Sequence, residues 1–215
     1  MIQRQIHEVA EPSRSRSLLC LILMVGMACT HLAAAETLLP KAIAESLQQA
    51  YLAEVQGDDA TAAELFEELA QAGSVDALFS LGCFYRDGRQ FAPDAGAAFQ
   101  RFHAAALRGH VLAMHEVGVA YLEGLGVEKN PDLAWQWLFN AAQRHGPSAW
   151  RLFLVARNDE EARQWLQRAA TMGVPEAMRE LSDALAHGKY GFQIDTNQSD
   201  FWHQEVAKAA LDQAD

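Results

Sequence analysis

The chain has 215 residues, half of them hydrophobic and 21% charged, a balance that excludes wholesale disorder. Seventeen basic against 28 acidic residues give a formal charge of −11, which excludes a broad basic field for holding nucleic-acid phosphates. Three cysteines cannot form the even-numbered framework of a small disulfide scaffold.

Arg4, Arg14 and Arg16 precede an uncharged apolar run, Ser17 to Ala28, and Ala33-Ala34-Ala35 follows it. Positive flank, apolar centre and small-residue exit describe a secretory signal peptide over 1–35, with cleavage after Ala35. The apolar centre is shorter than the ~20 residues needed to span hydrocarbon. Two alternatives stay open: retention of the run as a membrane anchor, and lipidation of Cys29. Cleavage removes Cys20 and Cys29, so the mature chain holds only Cys83, which is expected as a small core residue. The expected location is periplasmic or secreted.

Beyond residue 36 a repeat organises the chain. Shifted by 36, residues 74–109 fall on 110–145 without a gap: Leu81-Gly82 on Val117-Gly118, Tyr85 on Tyr121, Gly88 on Gly124, Phe102 on Leu138. The period then shortens to 28, where Trp137-Leu138 and Ala141-Ala142 recur as Trp165-Leu166 and Ala169-Ala170. Each unit reads as two amphipathic helices. Gly88 and Gly124 end the first helix of a pair, and Asp94 and Asn130 cap the second. The pattern predicts about five helix pairs, at roughly 41–73, 74–109, 110–145, 146–173 and 174–215. A turn is expected at Arg157-Asn158-Asp159, and a long loop at Gly188–Ser199 with Ser199 or Asp200 capping the last helix. The fold class is all-α, an α/α superhelical solenoid.

The string Ala113, Val117-Gly118, Tyr121, Gly124-Leu125-Gly126-Val127, Pro131, Ala134-Trp135, Ala141-Ala142 resembles the Sel1-like repeat, a relative of the tetratricopeptide repeat. Residues 74–109 match it as well, with Gly88-Arg89-Gln90-Phe91 in place of the Gly-x-Gly-Val loop. The resemblance implies a solenoid that serves as a scaffold for protein contacts. Some secreted Sel1-like proteins clamp each helix pair with a disulfide, and some of those bind or hydrolyse β-lactams. This chain lacks the cysteine pairs.

In such a stack the first helix of each pair lines a groove. The repeat offset puts Phe79 and Arg86 on that side in the second unit, His115 and Leu122 in the third, Arg151 in the fourth and Arg179 in the fifth. The arginines are expected to hold carboxylates and the flat side chains to make contact, so these six are the candidate partner-binding residues. Residues 36–80 carry nine acids and one base, which is expected as a solubilising terminal repeat, the alternative being an acidic end that steers a basic partner segment. The histidines of the mature chain never pair at i, i+4, and no metal or cofactor is expected. Gly124–Val127 lacks the preceding strand and following Lys-Ser/Thr of a phosphate loop. The five tryptophans are expected mainly between helices. The expected function is an exported, non-catalytic scaffold for another protein or peptide segment, without nucleic acid, and with membrane contact only if the leader is kept or Cys29 is lipidated. The alternatives are a cell-wall or β-lactam-type hydrolase and a membrane-tethered assembly factor.

Overall fold

The computed structural model describes residues 41–212. The signal-peptide reading of 1–35, with Cys29, lies outside the described residues. The chain divides at Gln48 into two compact units. Of the first, residues 41–48 are described; they are helical, and Lys41 pairs with Glu45 at 3.8 Å. The second opens with the helical residues 49–55 (α1) and continues through α2 Asp59–Gln71, α3 Val75–Asp87, α4 Ala95–Ala106 and α5 Val111–Glu123. It is completed by α6 Pro131–Ala142, α7 Gly146–Leu154, α8 Asp159–Thr171, α9 Pro175–His187, a 3-10 turn at Lys189–Gly191 and α10 Thr196–Asp212. No strand occurs among the described residues. Each helix packs against the next in chain order, which is the layout of a helical solenoid.

Local chemistry sets the ends of these helices. Ser74, Asp94, Asn130 and Asn158 each accept a hydrogen bond from the backbone N–H three residues on, which satisfies a donor the helix itself leaves unpaired. At the other end, Gly88, Gly124 and Gly188 take left-handed backbone after α3, α5 and α9. Later units supply further partners for exposed helix ends. Arg168 of α8 donates to the carbonyls of Ala142 and Gln143 at the end of α6, and Arg108 donates to Gly73 after α2.

Small residues decide how closely the pairs approach. A Cβ on Gly82 would stand 2.5 Å from the Phe102 ring, and one on Gly118 would stand 2.6 Å from Leu138. These are the same contact one repeat apart, between the two helices of a pair. One apolar cluster joins Ala98, Phe102 and Ala105 of α4 to Ala113 and Val117 of α5, and a second runs from Leu138 to Leu185. Trp137 packs on the first cluster, and Trp135, Trp150, Trp165 and Trp202 on the second. Fully burying a leucine such as Leu138 or Leu166 contributes about 1.5–3 kcal/mol. Cys83 is half-buried, and burial pushes its thiol up to about 11, so the thiolate is scarce at neutral pH.

The fourth pair is the short one. α7 has nine residues and α8 begins directly after Asn158, so no loop equivalent to Gly124–Val127 exists there. In the fifth pair the expected cap needs correction. α10 starts at Thr196, and Asp195 caps it by accepting from the Gln198 N–H at 2.9 Å. Ser199 lies inside the helix, its hydroxyl 3.1 Å from that of Ser182. Asp195 wins because its carbonyl also accepts from the Ser199 N–H, which starts the helix one turn earlier.

Candidate functional site

The six residues placed on a groove by the repeat offset do not come together as one cluster. The ring of Phe79 stacks on His110 at 4.5 Å and meets Phe102 at 5.5 Å. His110 is itself the cap of α5, its Nδ1 accepting from the Ala113 N–H at 3.1 Å, and burial lowers its pKa. Leu122 is half-buried against the second apolar cluster. Arg86 donates to Asp87 at 2.7 Å and to Glu116 of α5 at 3.0 Å. Arg151 reaches Glu123, also of α5, at 3.4 Å. Arg179 is exposed and 3.6 Å from Glu176 on its own helix. The acidic first pair is met by arginines of the next unit: Arg89 pairs with Glu54 and Asp59, and Arg101 with Glu67.

His115 occupies the position of Phe79 one repeat later, and it too contacts the start of the following first helix. Its Nδ1 lies 2.9 Å from Oγ of the fully buried Ser148, and Nδ1 of His145 lies 2.9 Å from the same oxygen. One hydroxyl has one proton, so Ser148 donates to one imidazole and accepts from the other. Burial, then the His145 and Arg151 charges, push His115 down to about 4. Phe79 and His115 are thus seam residues, holding one unit to the next. Among the described residues no group of three His, Cys, Asp or Glu side chains could hold a metal ion, and no helix is long and apolar enough to cross a membrane.

A pocket of about 310 Å³ opens beside this row, where α3, α4 and α5 meet. Its floor is Ala98 and Phe102 of α4 and Ala120 of α5, all buried. Its walls are Phe99, Val119 and Leu125, the last 47% exposed at the mouth, and Arg86 and Glu116 stand on the rim. The Arg86 guanidinium lies 5.9 Å over the Phe102 ring. The loop carrying Leu125 is set by Gly126, whose φ is +70° and whose Cβ position is filled by the Ala95 carbonyl of α4. Any side chain there would push the loop, and Leu125 with it, off α4.

The sequence places Arg86 here but gives no hint that Phe99, Val119 and Leu125 converge on one cavity. A signal exists once the registers are known. Sixty-four residues on, in the α8–α9 seam, Phe99, Val119 and Leu125 become Arg163, Asp183 and Lys189, while the floor residues become Ala162, Leu166 and Ala184. The floor stays buried and apolar. The walls turn into two separate charged groups: Lys189 pairs with Asp183 and lies 3.8 Å from Glu180, which also accepts from the Tyr190 hydroxyl at 2.8 Å, while Arg163 pairs with Glu160 on its own helix and donates to the Gly191 carbonyl.

Stacked helix pairs with an open seam define a repeat scaffold. The chain belongs to the Sel1 repeat family, whose model matches residues 75–110, 111–145, 151–174 and 175–209. Such scaffolds typically mediate protein–protein contacts and are generally non-catalytic. A Sel1 repeat protein from Oxalobacter formigenes has a similar fold, with a TM-score of 0.70 and 22% identity over 76% of this chain and 69% of that one. So does c5321, a protective antigen present in uropathogenic Escherichia coli strains displaying an SLR fold, with a TM-score of 0.66 and 28% identity over 69% of this chain and 33% of that one. Among curated proteins, chitin synthase regulatory factor 3 of Schizosaccharomyces pombe is 24% identical over 89% of this chain. The match spans 26% of that relative's length.

Proposed function

We propose that the chain is an exported, non-catalytic scaffold that captures a protein or peptide segment on the face formed by α3, α5, α7 and α9. The observation that carries this reading is the open apolar pocket beside that face, in a seam whose counterpart sixty-four residues on has charged wall residues and an opening lined by Arg157, Asn158 and Asp159. Family membership supports the scaffold role. The basic, apolar and small-residue succession in residues 1–35 supports export, to the periplasm or the medium.

A photo-crosslinking residue at Val119, compared with one at the exposed Arg144, tests the reading in cells of the native host. A discrete protein adduct from position 119 alone is the expected result; equal labelling from both positions overturns it. The mass of the mature protein tests export, with Glu36 expected as the first residue. Incubation with a chromogenic lactam and with muropeptides is expected to give no turnover, and turnover by the purified chain would replace the scaffold with a hydrolase.

A further inference from the structure

Repeat-related sites share one backbone, so a difference between them separates what the fold needs from what it merely permits. The α8–α9 seam holds Arg163, Asp183 and Lys189 at the wall positions, and its floor of Ala162, Leu166 and Ala184 stays buried beside an opening lined by Arg157, Asn158 and Asp159. Apolar walls are therefore not a requirement of stacking at this place. In the α4–α5 seam those positions are Phe99, Val119 and Leu125, which leave apolar surface facing a cavity that opens to solvent. Exposing such surface to water without a counterpart is unfavourable. The volume, about 310 Å³, lies at the lower limit of small-molecule sites, which are about 300–1,000 Å³, and suits one bulky side chain rather than a larger ligand.

The rim specifies the neighbours of that side chain. Arg86 and Glu116 line the mouth as one cation and one carboxylate, and Asp87, bonded to Arg86 just outside the lining, tips the surroundings to one net negative charge, on a chain whose formal charge is −11. An incoming acid would have to displace a carboxylate already bonded to Arg86. An incoming lysine or arginine adds to the pair without breaking it.

We infer that this pocket is the anchor point of the scaffold, and that its occupant is a basic segment of a partner protein which inserts one large aliphatic or aromatic side chain between flanking lysines or arginines. The inference rests on the proposed capture role and specifies the partner's chemistry.

The test uses the full mature chain and labelled peptides followed by fluorescence anisotropy. One peptide has a single leucine between paired lysines, the second has glutamates for the lysines, and the third has serine for the leucine. The first is expected to bind at least about tenfold more tightly than either of the others. Val119→Asp with Leu125→Lys carries the wall residues of the other seam and is expected to abolish binding with cooperative thermal unfolding retained. Glu116→Gln, which keeps the Arg86–Asp87 pair, is expected to narrow the gap between the lysine and glutamate peptides. Failure of the lysine–leucine peptide to bind, equal binding of the glutamate peptide, or unchanged binding by the double variant each overturns the inference. An adduct at position 119 together with any of those results leaves the capture role standing and removes only this partner chemistry; absence of both removes both.

Discussion

The α4–α5 and α8–α9 seams occupy equivalent places in the repeat and solve different problems. Both rest on a floor of two alanines and one large apolar residue, Ala98, Ala120 and Phe102 in one and Ala162, Ala184 and Leu166 in the other. Above the floor, one seam has apolar walls around its opening, and the other has charged wall residues paired in two separate groups and an opening lined by Arg157, Asn158 and Asp159. Stacking thus constrains the floor, where any polar group would be stranded, and leaves the walls free. Wall residues are where a solenoid can acquire specificity at little cost in stability.

Shared floors should fail alike. Phe102→Ala is expected to cost about 3–5 kcal/mol and Leu166→Ala about 2–5 kcal/mol, read by urea unfolding, because both remove buried side chains that pack the floor. A cost confined to one seam would break the equivalence. The loop above the α4–α5 floor is expected to be nearly as sensitive: Gly126→Ala should cost about 3 kcal/mol by combining left-handed strain with a backbone clash against Ala95. The matching position one repeat earlier, Gln90, already holds φ 53°, and Gln90→Gly is expected to raise stability by up to about 1 kcal/mol.

The α5–α7 seam sharpens the comparison through pH. His115 takes up its proton near pH 4 in the folded chain, against about 6.5 when unfolded. Between those values the unfolded chain binds more protons. Stability is therefore complete above pH 6.5, declines as pH falls toward 4 by at most about 3 kcal/mol, and levels off below that. Urea titrations at several pH values check this, and His115→Gln is expected to flatten the slope. The smallest effect belongs to the ionic walls: Asp183→Asn should lower the Tm slightly at low salt, with the difference lost at about 1 M salt, where screening reaches about 3 Å.

Much of the architecture is written locally. Asp94 and Asn130 cap helices through side chains that reach only three residues along the chain, and Gly88 and Gly124 end helices through their own backbone freedom. A period of 36 or 28 residues exposes these features because every unit repeats them. The cap of α10 was harder to read, since Asp195, Ser199 and Asp200 are all chemically able to cap and only the backbone bond from Ser199 to Asp195 selects among them. Phe79 and His115 fall on a common helix face by register, yet what that face meets depends on His110 and on the Ser148–His145 pair contributed by the following unit.

The sequence by itself determined the helical character, the repeat, the caps at Asp94 and Asn130 and the family, because helix periodicity and turn chemistry act over a few residues. Only the tertiary structure decided that Arg86 is tied to Glu116, that the rings of Phe79 and His115 are spent at seams, and that Phe99, Val119 and Leu125 surround one cavity. Those outcomes depend on distances between side chains some thirty residues apart along the chain, and the packing of successive pairs sets them.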